Sequence, residues 1–198
     1  VGSRFAVLVE VVPVRVVGGY LGGRRLLTVP GKDTRPTSDR VREALFGILG
    51  ERVEGARVLD LFAGTGALGI EALSRGAGSA VLVEQAAPAV AVIRANLDAL
   101  DLNETVKVRR TRAETYLRIQ RDGPFDLVLL DPPYAAPLGL VAGLLGRLAR
   151  TALAPGAVVV VEAAARAEAP PWPPGLVPDP PRRYSDTALH LAMQVPLP

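Results

Sequence analysis

An α/β fold with a mostly parallel sheet is predicted by three features of this sequence. From residue 56 onward, short strand-like runs alternate with helix-patterned segments, the order that produces right-handed βαβ units. The first run passes through a glycine-rich turn directly into a helix. The fourth is an unbroken apolar stretch ending at Asp131. Length agrees: 198 residues suffice for one domain with a small appendage and a sizeable core.

Residues 1–13 are expected to be a leader or an added extension. Two β-prone runs, 14–17 and 25–29, flank the glycine cluster 18–23 and read as a hairpin. Residues 30–36 form a loop, and Thr37, Ser38 and Asp39 cap a helix carrying Val41, Ala44, Leu45, Ile48 and Leu49, ended by Gly50. Residues 14–50 are thus a small hairpin-helix extension ahead of the main domain, 51–198. Within that domain, strands are predicted at 57–61, 79–84, 106–110, 125–130 and 157–162. Helices are predicted at 67–74, from Pro88 to about Leu100, up to about Gln120, and from about Leu138 to Thr151. The Pro-rich segment 169–181 reads as a rigid surface loop, with Trp172 as a packing anchor. Residues 187–193 form a last strand, antiparallel and at or near an edge. Asn96 and Asp98 read as a solvated helix face, and His190 as a packed or surface histidine.

Composition narrows the chemistry. A hydrophobic content of 49% with 22% charged residues excludes a disordered or fibrous chain. Without cysteine there is no disulfide framework, no cysteine zinc site and no thiol nucleophile. His190, the sole histidine, argues against a histidine-rich metal site or a histidine triad, so no metal is expected. What remains are carboxylates, backbone groups, aromatics, arginine and a borrowed cofactor. No apolar run reaches the roughly 18 residues of a membrane span, and a cytoplasmic protein is expected. The net charge is only +3, but it is unevenly spread. Between Arg15 and Arg42 stand seven basic residues (Arg15, Arg24, Arg25, Lys32, Arg35, Arg40 and Arg42) against Asp33 and Asp39. Such a stripe fits a polyanionic partner.

Gly64, Gly66 and Gly69 match G-x-G-x-x-G between a strand and a helix, and Glu84 ends the next strand. A carboxylate there accepts hydrogen bonds from both ribose hydroxyls of an adenosine cofactor. No Lys-Ser/Thr pair follows the glycines, which rejects a phosphate-binding P-loop. The glycines alone leave a dinucleotide and S-adenosylmethionine both open. Asp60, ending the first strand, favours the latter: a carboxylate would repel a pyrophosphate but hold, directly or through water, the ammonium of a methionine moiety.

Asp131-Pro132-Pro133-Tyr134 follows the fourth strand, at the carboxyl edge where open α/β sheets bind ligands. Two prolines stiffen the loop and remove two N–H donors, so it presents acceptors. The Asp131 carboxylate and Pro132 carbonyl beside the flat face of Tyr134 suit an amino group on a planar ring.

This pairing resembles the amino-methyltransferases that carry an [N/D]-P-P-[Y/F] loop on a Rossmann-like sheet. With residues 35–46, 60–76 and 184–189, Gly18-Gly19 and Arg24-Arg25, the sequence is similar to the RsmD family, bacterial 16S ribosomal RNA guanine-N2 methyltransferases, over about residues 14–193. The resemblance implies a Rossmann-like class I methyltransferase sheet, S-adenosylmethionine as cofactor, and a guanine of 16S rRNA in a 30S subunit or assembly intermediate as target. Carried over by position, Asp60, Phe62, Gly64, Gly66, Glu84, Arg112, Ala113 and Asp131 surround the cofactor. Asp131, Pro132 and Tyr134 seat the guanine, while Arg24, Arg25, Arg35, Arg40 and Arg42 contact RNA. A monomer acting without metal or membrane is expected. One departure stands out: where the family pattern has Asp-Ala after the third strand, this chain has Arg112-Ala113, so the acidic partner of the adenine amino group is missing. Competing readings keep the loops but change the outcome: transfer to adenine N6 or protein glutamine, an NAD-dependent oxidoreductase, or an inactive RNA-binding assembly factor.

Overall fold

A computed structural model describes residues 14–29, 38–120, 122–133 and 136–196. In chain order its elements are α1 (Asp39–Leu49), β1 (Arg57–Asp60), α2 (Ala67–Ser74), β2 (Ser79–Glu84), α3 (Ala87–Ala99), β3 (Val106–Arg110), α4 (Ala113–Ile119), β4 (Phe125–Leu130), α5 (Leu138–Thr151), β5 (Leu153–Ala164), β6 (Leu176–Pro178), β7 (Arg182–Tyr184) and β8 (Thr187–Gln194). The strands form one sheet in the order β3-β2-β1-β4-β5-β8-β6, with β7 pairing β8 off that path. β1 to β5 are parallel, and β8 runs antiparallel to β5, β6 and β7. Among the described residues no helix is long and apolar enough to cross a membrane.

The central strands are apolar on both faces because both are covered, and their residues divide by parity. Val58, Leu82, Leu127, Leu129 and Val160 point into a core shared with α1, α2, α3 and the N-terminal hairpin. Leu59, Val83, Val128, Leu130 and Val159 point into a second core under α4 and α5, against which the half-buried Trp172 packs. Val14, Val16, Leu21 and Leu26 belong to the first core, so the hairpin is built into the domain it precedes.

Three expectations need correction. The hairpin is narrower than two strands: its pairing is a single antiparallel bridge, Arg15 to Arg25, flanked by Leu26 N–H to Val14 O at 2.8 Å and Val16 N–H to Arg24 O at 2.9 Å. β5 begins at Leu153, four residues before the predicted start, and a register shift between Phe125 and Leu127 absorbs the extra length. The Pro-rich segment contains β6. Pro178 is tolerated there because β6 lies at the sheet's edge, where a missing N–H interrupts no ladder on its open side.

Candidate active site

β1 and β4 lie side by side in the sheet, Asp60 opposite Leu129, with the Leu61 N–H donating to the Leu129 carbonyl at 3.0 Å. From β1 the sheet continues through β2 to β3, and from β4 to β5 on the other side. Loops leaving the carboxyl ends of β1 and β4 therefore diverge and open a crevice, the place where doubly wound sheets take ligands. The glycine turn leaves β1 there, and Asp131-Pro132-Pro133 leaves β4 there.

The glycine turn is held by its own backbone. Ala63 N–H donates to Val83 O at 3.0 Å, and Gly66 N–H to Ala63 O at 2.7 Å. Gly64 (φ 56°) and Gly66 (φ 84°) occupy left-handed conformations that side-chain-bearing residues adopt only with strain. Gly66 is the N-cap of α2 and offers no side chain to the helix's first N–H groups, of which that of Gly69 faces Asp60. A Cβ at Gly69 would run into the Leu82 side chain, so this glycine lets α2 lie close against β2.

Glu84 closes the turn from the next strand. Its carboxylate accepts from the Gly64 N–H at 3.0 Å and the Ala86 N–H at 2.7 Å, one bond to each oxygen. Each oxygen keeps further acceptor capacity, which suits a vicinal diol. Thr111 N–H donates to the Glu84 carbonyl at 3.1 Å and ties the end of β3 to the same edge. Beyond it, Arg112 is the exposed N-cap of α4 with no side-chain capping bond, and Ala113 is buried. Phe62 is half-buried and packs against the second core.

Asp60, at the end of β1, is fully buried in the chain without ligand. Burial pushes its pKa up to about 7; the Gly69 and Phe62 backbone N–H groups pull it down less strongly, and the charge of Glu84 adds to the rise. Neither carboxylate oxygen attains hydrogen-bond geometry with a partner among the described residues.

After β4, Asp131 is half-buried, Pro132 buried and Pro133 exposed. Ala136 N–H donates to the Pro133 carbonyl at 2.7 Å, which leaves the Pro132 carbonyl outside that bond. Tyr134 lies outside the described residues.

The basic residues separate. Arg24, Arg25 and Arg40 are exposed, and Arg24 also donates to the Ala99 carbonyl at the end of α3 at 3.0 Å. Arg35 lies outside the described residues. Arg42 corrects the sequence reading: it is 1% exposed and donates through Nη2 to Asp39 at 2.6 Å and to the Arg15 carbonyl at 2.7 Å, so no phosphate can reach it. Burial lowers its pKa, opposed chiefly by Asp39. Tyr20, on the glycine-rich turn four residues before Arg24, is 69% exposed, an aromatic that a reading of charge alone does not single out.

Asn96 also departs from expectation. It is 1% exposed and bonded to Leu27 and Thr65, whereas its helical neighbours suggested a solvated face. Glu71 and Ser74 on α2 are buried as well and hold the hairpin turn: Glu71 accepts from Val17 N–H and Gly18 N–H, and Ser74 Oγ accepts from Leu21 N–H. The hairpin groups that these three hold lie 53 to 69 residues away, so the local sequence does not signal the contacts. His190 is buried opposite Val161, its pKa lowered by burial and by Arg183. Among the described residues, no group of His, Asp or Glu side chains comes together as a metal site.

The family model for conserved hypothetical protein 95 matches residues 14–193. The ribosomal RNA small subunit methyltransferase D of Escherichia coli strain K12 is 40% identical over 121 residues, covering 61% of this chain and 60% of that protein. The protein of the same name from Buchnera aphidicola subsp. Acyrthosiphon pisum (strain APS) is 35% identical over 61% of this chain and 63% of its own length. These alignments thus span less than two thirds of those two relatives. Among solved structures, yhhF from Escherichia coli superposes with a TM-score of 0.82 at 33% identity, covering 92% of this chain and 98% of that one. A hypothetical protein of Thermus thermophilus gives 0.76 at 31% identity over 90% and 98%. With a mixed sheet that places both sequence motifs at one switch point and a family match running from the hairpin to the last strand, this chain belongs to the conserved hypothetical protein 95 family, the RsmD family of ribosomal RNA methyltransferases.

Proposed function

We propose that this chain transfers a methyl group from S-adenosylmethionine to the exocyclic N2 amine of a guanine in 16S ribosomal RNA, acting as a cytoplasmic monomer on a small subunit or its assembly intermediate. The observation that carries this reading is the juxtaposition of the glycine turn, braced by Glu84, with the Asp131-Pro132 elbow on the adjoining strand ends β1 and β4. The residues present suit the cofactor: Glu84 keeps acceptors for a ribose diol, and the half-buried Phe62 supplies apolar surface at the same edge, with the small Ala113 packed into the core at the start of α4. Asp60 contributes from below, as a buried negative dipole or charge under the turn. Arg112, in place of an acid, leaves the adenine amino group to backbone acceptors.

When bound, S-adenosylmethionine supplies an electrophilic methyl group on a positively charged sulfur. The protein's task is then to present a poor nucleophile, since the guanine N2 lone pair is delocalised into the ring. Asp131 and the Pro132 carbonyl accept the two N–H bonds of that amine, favour a pyramidal nitrogen and stabilise the positive charge that develops on it. Tyr134 stacks on the base, which is worth about 1–3 kcal/mol. A loop stiffened by Pro132 and Pro133 would keep the amine oriented for in-line approach to that methyl group, for which reacting atoms about 3–3.5 Å apart are needed. No strong base is required, because the amine's proton leaves to solvent once the nitrogen is charged. Extracting the base costs a few kcal/mol, least from a loop. Residues 14–50 offset that cost, with Arg24, Arg25, Arg35 and Arg40 on phosphates and Tyr20 as a stacking surface.

The test is transfer of a tritiated methyl group to hypomethylated 30S subunits and to naked 16S rRNA, followed by mapping of the labelled nucleotide. Label on guanine N2 is the expected result. Label on adenine or protein, or binding of NAD in preference to S-adenosylmethionine, would overturn the assignment.

A further inference from the structure

We propose that Asn96 is a positioning residue for the cofactor turn, and that the N-terminal hairpin is through it part of the cofactor site's support. This rests on the reading above, in which the glycine turn receives the cofactor.

The Asn96 amide is spent on two segments distant in sequence. Its Oδ1 accepts from the Leu27 N–H at 2.7 Å, and its Nδ2 donates to the Leu27 carbonyl at 3.2 Å and to the Thr65 carbonyl at 3.1 Å. The orientation of the amide is fixed by these partners, since a flipped group would set two donors against the Leu27 N–H and an acceptor against a carbonyl. Leu27 lies in no strand, so the side chain of Asn96 serves both of its backbone groups.

Thr65 stands between Gly64 and Gly66, two residues whose backbones rotate freely unless held. Its carbonyl shares a peptide plane with the Gly66 N–H, which donates to Ala63 O at 2.7 Å. Asn96 therefore pins one edge of that plane and Ala63 the other. A turn pinned in this way meets a ligand already ordered, which lowers the entropy cost of binding.

The hairpin's own placement sets that of Asn96. Glu71 and Ser74, on the helix that the glycine turn begins, grip the other end of the hairpin at Val17, Gly18 and Leu21. Gly19 packs so tightly there, at φ 75°, that a Cβ would strike the Ser74 carbonyl. A hairpin lifted from α2 would take Leu27 with it, leaving the Asn96 amide with only Thr65 and free to reorient.

The experiment uses the full chain, with S-adenosylmethionine titrated by calorimetry and methylation of hypomethylated 30S subunits followed at saturating cofactor. Asn96→Asp keeps the acceptor and shape but turns a carboxylate toward two carbonyls; Gly19→Ala disturbs the hairpin without touching the turn. Leu97→Ala, a buried neighbour on the same helix, controls for general destabilisation. Both Asn96→Asp and Gly19→Ala are expected to raise the cofactor Kd about tenfold, and in Asn96→Asp, which leaves the RNA-contacting side chains in place, kcat at saturating cofactor falls by less than Kd rises. Leu97→Ala should lower Tm at least as much with an unchanged Kd. A wild-type Kd in Asn96→Asp or in Gly19→Ala, or an equal rise in Leu97→Ala, overturns the inference. Failure of the unaltered chain to bind S-adenosylmethionine instead overturns the functional reading on which it stands.

Discussion

Glu84 and Gly64, twenty residues apart, are joined by a 3.0 Å hydrogen bond from the glycine N–H to the carboxylate. The bond closes the glycine turn onto the adjacent strand and fixes one Glu84 oxygen, while Ala86 N–H fixes the other. A side chain held by two backbone donors loses little further freedom on meeting a diol. Glu84→Ala should therefore weaken S-adenosylmethionine by roughly 10- to 150-fold, the equivalent of a charged hydrogen bond. Glu84→Gln retains one acceptor and should lie between. Calorimetric titration decides it, and a Glu84→Ala affinity equal to wild type removes this carboxylate from the site.

Asp131 stands at the mouth of the same crevice but is assigned to the amine. Asp131→Ala is expected to lower kcat on 30S subunits by roughly 10²- to 10³-fold, the usual loss when a preorganised partner of developing charge is removed. Cofactor affinity should change far less. Single-turnover methylation alongside cofactor titration separates the two effects.

Arg40 and Arg42 differ by two positions and by nearly all their exposure. Arg40→Glu should weaken 16S rRNA binding and reduce the slope of log affinity against log salt by about one unit or more, with Tm unchanged. Arg42→Ala should do the reverse. It removes bonds to Asp39 and to the Arg15 carbonyl and should cost roughly 1.5–3 kcal/mol of stability, the value of a charged hydrogen bond in a partly screened setting. Filter binding at several salt concentrations, paired with thermal melts, checks both.

Asp60 makes stability depend on pH. Its pKa is about 7 in the fold against 3.8 for an ordinary aspartate, chiefly through burial. Between those values the folded chain binds the proton that the unfolded chain has released, so stability falls as pH rises from about 4 to about 7 and levels off above. Asp60→Asn has no proton to lose. It should match wild type near pH 4 and exceed it near pH 8 by on the order of a few kcal/mol. Denaturant melts across that range test this, and parallel curves for the two proteins would place the ionisation elsewhere.

Much of this arrangement is legible from residue order because its physics is local. β2, β3 and β4 have the limits their sequence predicts, since short apolar or β-prone runs between turn residues admit few alternatives. The glycine turn and the diproline elbow can be placed at one edge because parallel strands put all their carboxyl ends on one side. Arg42 and Asn96 escape notice for the converse reason. A polar residue on a helix reads as solvated unless its partners are known, and here the hairpin partners, Arg15 for Arg42 and Leu27 for Asn96, lie 27 and 69 residues away. β6 is hidden by its prolines, which forbid a central strand but not an edge.

Arg112 offers the sharpest test of the cofactor's orientation. It is the N-cap of α4 but makes no side-chain bond to the helix, and it follows Thr111, which is tied to the Glu84 carbonyl. An aspartate there would do two separable things. It would cap α4, worth about 1 kcal/mol, and it would offer an acceptor to the adenine amino group. Arg112→Ser supplies the cap alone. Both variants should raise Tm, but only Arg112→Asp should tighten S-adenosylmethionine, by about tenfold for one charged hydrogen bond. Inosine-containing cofactor, which lacks the adenine amino group, should show no preference for Arg112→Asp over Arg112→Ser. If both variants tighten both cofactors alike, the adenine does not sit against the start of α4, and the cofactor's base must lie elsewhere along the edge.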